Sequence, residues 1–236
     1  MAGHSHAKNI QHRKNAQDSK KAKIGTKLLR VVYIAARNGA DLEMNSALRS
    51  ACEIARKAGV LKDKIEAAIQ RATSGGNDAD NMEYVRYNAT FAGVSIIIEG
   101  LTDNKNRTIG DIRTVFSKHG GVIADTGSVE FMFRHIGLIV FDKKIGDFDK
   151  VFDVAVNAGA LDIEEGEEEY YIETETTDLH TVDKALIAAF GEHESSNFIW
   201  KPVIEATELS PELQTKFDKI IDSLEDIDDI QTVYHN

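Results

Sequence analysis

The chain has 236 residues, 42% of them hydrophobic, and a formal net charge of −11 at pH 7. This length can form two or three small domains, and the apolar content excludes a chain disordered over most of its length. A single cysteine, Cys52, excludes an internal disulfide and favours a reducing compartment. With no apolar stretch long enough to span a bilayer, we expect a cytoplasmic protein without membrane contact.

The charge is distributed unevenly along the chain. The first 72 residues carry 15 Lys or Arg against 6 Asp or Glu, and the remaining 164 carry 13 against 33. A basic segment on an acidic body is typical of proteins that bind a polyanion, with nucleic acid the first candidate. A solvated lysine-rich face would give the same pattern, so this alternative stays open.

Residues 1–17 hold too few apolar side chains to build a core, and we expect a flexible basic arm there. From 18 to 37 the spacing of Ile24, Leu28 and Val31 predicts an amphipathic helix. Two further helices are predicted over 45–58 and around 65–72. Residues 18–76 are therefore predicted to form a three-helix domain.

Beyond residue 77 the periodicity changes to short β-rich runs alternating with helical spacing. Strands at 94–98 and 129–133 are predicted to flank a helix, and a strand at 203–206, a helix at 211–224 and a strand at 230–234 follow later. Between these parts, residues 136–200 predict the order β-α-β-β-α-β. The fold class is therefore α+β, with a three-helix module followed by two ferredoxin-like (βαββαβ) domains, one inserted into the other.

The predicted domains are the arm at 1–17, the helical domain at 18–76, a discontinuous α/β domain at 77–134 plus 202–236, and an inserted α/β domain at 135–201.

The candidate nucleic-acid contacts are the basic residues of the arm, of the first helix and of one loop. They are Lys8, His12, Arg13, Lys14, Lys20, Lys21, Lys23, Lys27, Arg30, Arg37, Lys105 and Arg107. Because lysine predominates, we expect contacts to phosphates, which are insensitive to sequence and sensitive to salt.

The loop at 102–108 joins a predicted strand to a predicted helix. Orphan backbone N–H groups at the helix start, beside Lys105 and Arg107, favour a bound anion. The alternative is ordinary capping, since Asp103, Asn104 and Asn106 are all residue types that cap helices. The sequence does not separate the two.

Other candidate chemistry is weak. His4, His6 and His12 lack a partner carboxylate or cysteine at fixed spacing, so no metal site is predicted. No phosphate-binding glycine loop or nucleophile motif occurs, and we expect neither catalysis nor a cofactor nor a small-molecule substrate. Phe131 and Phe133, which would share a strand face, are predicted to pack in the core rather than to stack on bases.

Several segments together resemble the YebC/PmpR family along the whole chain. They are 1–5 (MAGHS), 9–14 (NIQHRK), 16–18 (AQD), 26–28 (TKL), 101–108 (LTDNKNRT), 116–121 (FSKHGG), 127–129 (GSV) and 228–236 (DDIQTVYHN). The chain departs from the family pattern at His6, at Gly25, at Leu61 and over 87–93, where the geometry of a turn is left open.

This resemblance implies a three-domain, non-enzymatic protein. Bacterial members are described as probable DNA-binding transcriptional regulators. Mitochondrial relatives are translational activators for a cytochrome c oxidase subunit, and bacterial members have also been connected with helping ribosomes through proline-rich stretches. The target is therefore DNA or ribosomal RNA, and a ligand-sensing or scaffold role is a third possibility. The oligomeric state stays open.

Overall fold

A computed structural model of the chain describes residues 21–74 and 82–236. The described residues form seven α-helices and eight β-strands. A helical region comes first, and two four-stranded antiparallel sheets follow. The predicted mixed α+β class with an N-terminal helical module is confirmed. The chain divides into two compact units, one with the described residues of 13–130 and 206–235, the other with 131–205 and Asn236.

The helical region consists of α1 (Lys21–Arg37), α2 (Ser46–Lys57) and α3 (Lys62–Thr73). Its core contains mostly small and branched side chains, among them Val32, Ala36, Leu48, Ala55 and Ile65. Small alanines at these positions let the helices approach closely. Cys52 belongs to the same core, and burial raises the pKa of its thiol. This thiol is therefore a packing group in its neutral form.

The first sheet contains β1 (Glu83–Phe91), β2 (Val94–Thr102), β3 (Val122–Ala124) and β8 (Ile230–His235), in the order β3-β1-β2-β8. Two helices, α4 (Lys105–His119) and α7 (Pro211–Glu225), contribute to its core. Ile96 and Ile98 of β2 pack there against Phe116 of α4 and Ile220 of α7. Both faces of β2 are buried, because Ile97, whose side chain points to the opposite face from Ile96 and Ile98, is also fully buried.

The elements of this sheet differ in part from the prediction. Residues 87–91, whose turn geometry was left open, continue β1, which pairs with β2 from Glu83 to Phe91. A two-residue turn at Ala92 and Gly93, both with positive φ, closes the hairpin. Positive φ at both positions is the backbone geometry whose twist fits a tight hairpin. The order is therefore β-β-α-β before the inserted residues and α-β after them.

Two predicted strands are wrong. The segment predicted as a strand at 129–133 contains a 3-10 helix, Glu130–Met132, and the next strand begins only at Phe133. Phe133 is buried, but Phe131 is 65% exposed, so the two do not share a core face. Residues 203–206 form no strand, because the N–H groups of Val203 and Ile204 both donate to the carbonyl of Met132 and bend the chain there.

The second sheet contains β4 (Phe133–Asp142), β5 (Asp162–Glu165), β6 (Glu169–Thr174) and β7 (Ser195–Pro202), in the order β5-β6-β4-β7. Its helices are α5 (Phe148–Ala158) and α6 (Leu179–Phe190). This is the predicted β-α-β-β-α-β order. At Gly137 of β4 a Cβ would lie 2.4 Å from the Thr174 hydroxyl and 2.8 Å from the side chain of Leu179, so the close approach of α6 requires glycine.

Candidate nucleic-acid interface

The predicted contact residues fall into three groups in the structure. Lys8, His12, Arg13, Lys14 and Lys20 lie outside the described residues. Lys21 and Lys23 lie at the start of α1, where only the backbone is described. The remaining five, which are Lys27, Arg30, Arg37, Lys105 and Arg107, have described side chains. Their surroundings show what each cation contacts.

Lys27 and Arg30 contact the α/β part of their own unit. Lys27 Nζ donates to the carbonyl of Glu225, at the end of α7, over 2.9 Å. The guanidinium of Arg30 donates to Asp229 Oδ1 at 2.6 Å. It also donates to the carbonyls of Asp228 and Leu101, at 2.9 and 3.3 Å. This face of α1 is therefore packed against the first sheet.

The Asp229 carboxylate binds side chains from two separate parts of the chain, α1 and residues 102–108. Besides Arg30 on Oδ1, its Oδ2 accepts from Arg107 at 2.9 Å and lies 2.7 and 3.1 Å from the hydroxyls of Thr108 and Thr102. The carboxylate side chain is 5% exposed. We call Arg30, Thr102, Arg107, Thr108 and Asp229 the Asp229 cluster. A buried carboxylate held by four donors is a fully satisfied ionic site.

The backbone around Asp229 is equally constrained. Its carbonyl accepts from the N–H of Leu101 at 2.7 Å, at a register shift in the β2–β8 pairing. A Cβ on Gly100 would lie 2.8 Å from that carbonyl oxygen, closer than real Cβ contacts. Glycine is therefore required at position 100 for β2 to approach the residue that carries the cluster.

Electrostatics keep this site charged. Burial acts to raise the pKa of Asp229, but hydrogen bonds from Arg107, Thr108, Arg30 and Thr102 outweigh it and lower the pKa from 3.8 to about 2. The pKa of Arg107 is raised by its hydrogen bonds to Asp229 and Asp103. Asp229 therefore stays ionised at any physiological pH.

The loop at 102–108 caps a helix. Asn104 is the N-cap of α4, and its side chain accepts from the N–H of Arg107 at 3.1 Å. Thr102 Oγ1 in turn accepts from the N–H of Asn104 at 2.9 Å. The guanidinium of Arg107 lies between Asp229 and Asp103, 2.6 Å from the latter. This loop therefore contains the helix cap that was one of the two alternatives. Its arginine, Arg107, binds the carboxylate of the Asp229 cluster.

Comparisons with known proteins agree over both parts of the chain. Residues 5–75 match a family described as the TACO1/YebC protein N-terminal domain. Residues 82–236 match a family named as a transcriptional regulator (Transcrip_reg) and described as the TACO1/YebC second and third domain. The chain belongs to the TACO1/YebC family. The predicted family resemblance is confirmed, and the family is a regulatory one by name.

The chain is similar to a solved structure, that of a conserved hypothetical protein, Aq1575, from Aquifex aeolicus. The sequences are 32% identical, and the match covers 93% of this chain and 90% of that one with a TM-score of 0.81. The two proteins therefore share their fold.

Two predicted cations of this TACO1/YebC chain lie near its surface. Lys105 Nζ lies 2.8 Å from Glu83 Oε2, and both side chains are about half exposed. Arg37 is exposed in the last turn of α1, where a cation interacts favourably with the helix dipole.

The helical region carries further exposed cations that are not among the predicted contact residues. Arg49 and Arg56 of α2 and Lys64 of α3 are exposed, and none of their side chains forms an ion pair or hydrogen bond with a described residue. The spacing of seven between Arg49 and Arg56, which places both on one side of a helix, was the available signal. We call these three residues the exposed cations. Over residues 21–74 the chain has 11 Lys or Arg against 5 Asp or Glu.

The described residues contain neither a candidate metal site nor a membrane-spanning helix. No group of three or more His, Cys, Asp or Glu side chains in residues 21–74 and 82–236 is arranged to hold a metal ion. Within the same ranges, no helix has both the length and the apolar composition needed to cross a membrane.

Proposed function

We propose that this chain is a non-enzymatic, nucleic-acid-binding regulator of gene expression, acting as a DNA-binding transcriptional regulator in the cytoplasm. The observation that carries the proposal is the charge division, 15 Lys or Arg against 6 Asp or Glu in the first 72 residues of a chain with net charge −11. The family name, which refers to transcriptional regulation, supports it. Binding takes place through the arm and the start of the first helix.

The basic residues divide between two roles in this proposal. Those of the arm and of the start of α1, together with the surface residues Arg37 and Lys105, contact phosphates, and they are Lys8, His12, Arg13, Lys14, Lys20, Lys21, Lys23, Arg37 and Lys105. Lys27, Arg30 and Arg107 are positioning residues, because their cationic groups contact carbonyls and the Asp229 carboxylate. Each phosphate contact releases bound counterions, so affinity should fall steeply as salt rises.

Two variants with the same charge change test the proposal. The triple change Lys8→Ala, Arg13→Ala and Lys14→Ala removes arm cations. The control Lys144→Ala, Lys150→Ala and Lys184→Ala removes three exposed cations from residues 131–205. Affinity for duplex DNA and for a structured RNA would be measured by fluorescence anisotropy across a salt series.

The arm variant should bind more weakly, with a salt slope smaller by about 3, whereas the control should match the wild type. Equal losses in both variants would mean that only net charge matters, and the arm would not be the binding element.

A second candidate is a translation factor bound to ribosomal RNA. The observation that favours it is the position of Lys27 and Arg30 against the first sheet. A reader of specific DNA sites presents an exposed recognition helix to the major groove, and this face of α1 is occupied. A surface of lysines for backbone contacts suits structured RNA equally well.

Crosslinking in growing cells, followed by sequencing of the recovered DNA and RNA at matched depth, separates the two candidates. Discrete promoter peaks would establish transcriptional regulation. One dominant site in ribosomal RNA would establish the translation factor instead.

A further inference from the structure

The second sheet has helices of its own unit on only one of its two faces. Helices α5 and α6 pack on the face that carries Ile139 of β4 and Ile172 of β6. Side chains alternate along a strand, so Leu138 and Val140 of β4 and Tyr171 of β6 lie on the opposite face. We call this opposite face, formed by the alternate strand residues in register with Leu138 and Val140, the outer face.

Apolar side chains form the centre of the outer face. Leu138, Val140 and Tyr171 form one cluster with relative exposures of 6, 6 and 7%, and Ile199 of β7 packs against it. Along β4, six consecutive residues, 136–141, are buried. A sheet face in contact with water alternates buried with exposed residues, whereas a strand buried on both sides lies between two layers. The outer face therefore has the composition of a surface that a second layer covers, and α5 and α6 do not supply that layer.

Carboxylates surround this apolar centre. Glu164 of β5 and Glu169 and Glu173 of β6 are in register with the outer face. Glu169 accepts a hydrogen bond from the hydroxyl of Tyr171 at 2.9 Å, and Glu173 forms an ion pair with Lys201 of β7. Residues 131–205 as a whole carry 17 Asp or Glu against 6 Lys or Arg. A covering segment that complements this face is therefore basic and contains an apolar side chain.

Two segments of the chain lie outside the described residues, 1–20 and 75–81. The shorter one (GGNDADN) has two aspartates and no large apolar side chain, so it matches neither the charge nor the apolar centre. The longer one carries four Lys or Arg against one Asp, and its Ile10 lies between Lys8 and Arg13. Fully extended, it spans about 65–70 Å, several times the width of a four-stranded sheet, about 15 Å. Residues 1–20 therefore fit the outer face in charge, apolar content and length.

We propose that residues 1–20 bind to the outer face in the absence of nucleic acid, with Ile10 on the apolar centre and the neighbouring cations on the carboxylates. This inference rests on the proposed function, in which the same cations contact phosphates. A cation bound to a carboxylate cannot contact a phosphate at the same time, so the outer face and nucleic acid compete for the arm. The apparent affinity for nucleic acid is then reduced by the fraction of molecules whose arm is free.

Two double variants with the same charge change test the competition. Glu164→Gln with Glu169→Gln removes two carboxylates of the outer face. The control, Asp149→Asn with Asp153→Asn, removes two exposed carboxylates of α5, which packs on the other face of the same sheet. Affinity of the full-length chains for duplex DNA and for a structured RNA would be measured by fluorescence anisotropy, with folding verified by circular dichroism.

The outer-face variant should bind nucleic acid about fivefold more tightly than the control, the size expected when two exposed ion pairs that hold the arm are lost. Both variants change the net charge by the same amount, so a general decrease in repulsion of the polyanion affects them alike. The difference between them therefore reports on the arm. Equal affinities of the two variants would overturn the competition.

A photo-crosslinking amino acid at position 10 tests the binding of the arm without nucleic acid. Activation by light followed by mass spectrometry should join position 10 to β4 or β6 of the same chain, and added duplex DNA should reduce the yield. The outer-face variant should also give a lower yield, whereas the control should match the wild type. Crosslinks confined to other elements, or formed mainly between two chains, would overturn the proposal.

Different outcomes overturn this inference and the proposed function. If the triple change of Lys8, Arg13 and Lys14 weakens nucleic-acid binding but position 10 crosslinks elsewhere, the arm binds nucleic acid and does not bind the outer face. If the wild type binds neither DNA nor RNA but position 10 crosslinks to β4 or β6, the arm binds the outer face and the proposed function is overturned, and the competition with it.

Discussion

Basic residues of the helical module differ in whether their side chains are bound within the protein or exposed to solvent. The difference is clearest between Arg30 of the Asp229 cluster and the exposed cations. Arg30 of α1 is 21% exposed and is bound to a nearly buried carboxylate and two carbonyls. Arg49 and Arg56 of α2 are exposed without such partners among the described residues. The same residue type, in the same charged segment, therefore contributes to the fold in one place and is available to a partner in the other. Only the surroundings of each guanidinium distinguish the two.

The largest expected effect comes from removing the acceptor of the cluster. Asp229→Ala leaves Arg30 and Arg107 without their carboxylate, and breaking such a pair typically costs 3–5 kcal/mol. Because Arg107 is 47% exposed and keeps Asp103 as a partner, we expect the lower end, about 3 kcal/mol. Urea denaturation would measure it.

The matched control is Asp228→Ala, one residue earlier in an exposed position. Its side chain is outside the cluster, so its cost should stay within about 0.5 kcal/mol. Equal destabilisation by both variants would contradict the assignment of Asp229 as the residue that joins α1 to the first sheet.

A second, smaller effect is a dependence of stability on pH. The pKa of Asp229 is lowered from 3.8 to about 2 in the folded chain, so folding is favoured by the ionised form. The contribution, about 2 kcal/mol, is complete above pH 4 and is lost as pH falls through about 2. Asp229→Asn removes this titration.

Urea denaturation of both proteins at about pH 5 and about pH 2 separates Asp229 from the other carboxylates. The wild type should lose about 2 kcal/mol more than Asp229→Asn over that interval. A parallel decline in the two proteins would show that the cluster does not titrate as described.

The sequence predicted the parts of the fold that local patterns determine. The three helices have strong apolar spacing, and residues 133–202 show the alternation of helix and strand that gives β-α-β-β-α-β. The first hairpin was missed because β1 is buried only from Asn88 onward, so residues 83–87 show no clear apolar alternation. Phe131 was misplaced because a 3-10 turn, which has no clear pattern, replaced a strand.

The Asp229 cluster could not be predicted from local sequence patterns. Arg30 and Asp229 are 199 positions apart, and no periodicity or spacing connects them. The charge count of the first 72 residues treats Arg30 like any other cation, although its role depends on a carboxylate near the other end of the chain. The segments 101–108 and 228–236 had been recognised separately as family motifs. The structure brings them together around one carboxylate, which gives both a structural reason.

Substitution of the exposed cations is expected to have the smallest effect on stability, in contrast to substitution of Asp229. Arg49→Ala, Arg56→Ala and Lys64→Ala together should change the free energy of unfolding by no more than about 0.5 kcal/mol per site, because they break no ion pair with a described residue. If these three residues also contact phosphates, the triple variant should bind RNA or DNA more weakly, and its salt slope should be smaller by about 2 to 3.

Arg30→Ala is the reciprocal variant, expected to be less stable but to bind with an unchanged salt slope under conditions where it is fully folded. Anisotropy titrations across a salt series, with folding verified by circular dichroism, would compare the two. If Arg30→Ala instead lowers the salt slope as much as the triple variant does, Arg30 must leave Asp229 to contact a phosphate. Asp229 and the phosphate would then compete for the guanidinium of Arg30, and one cation would contribute both to the fold and to binding.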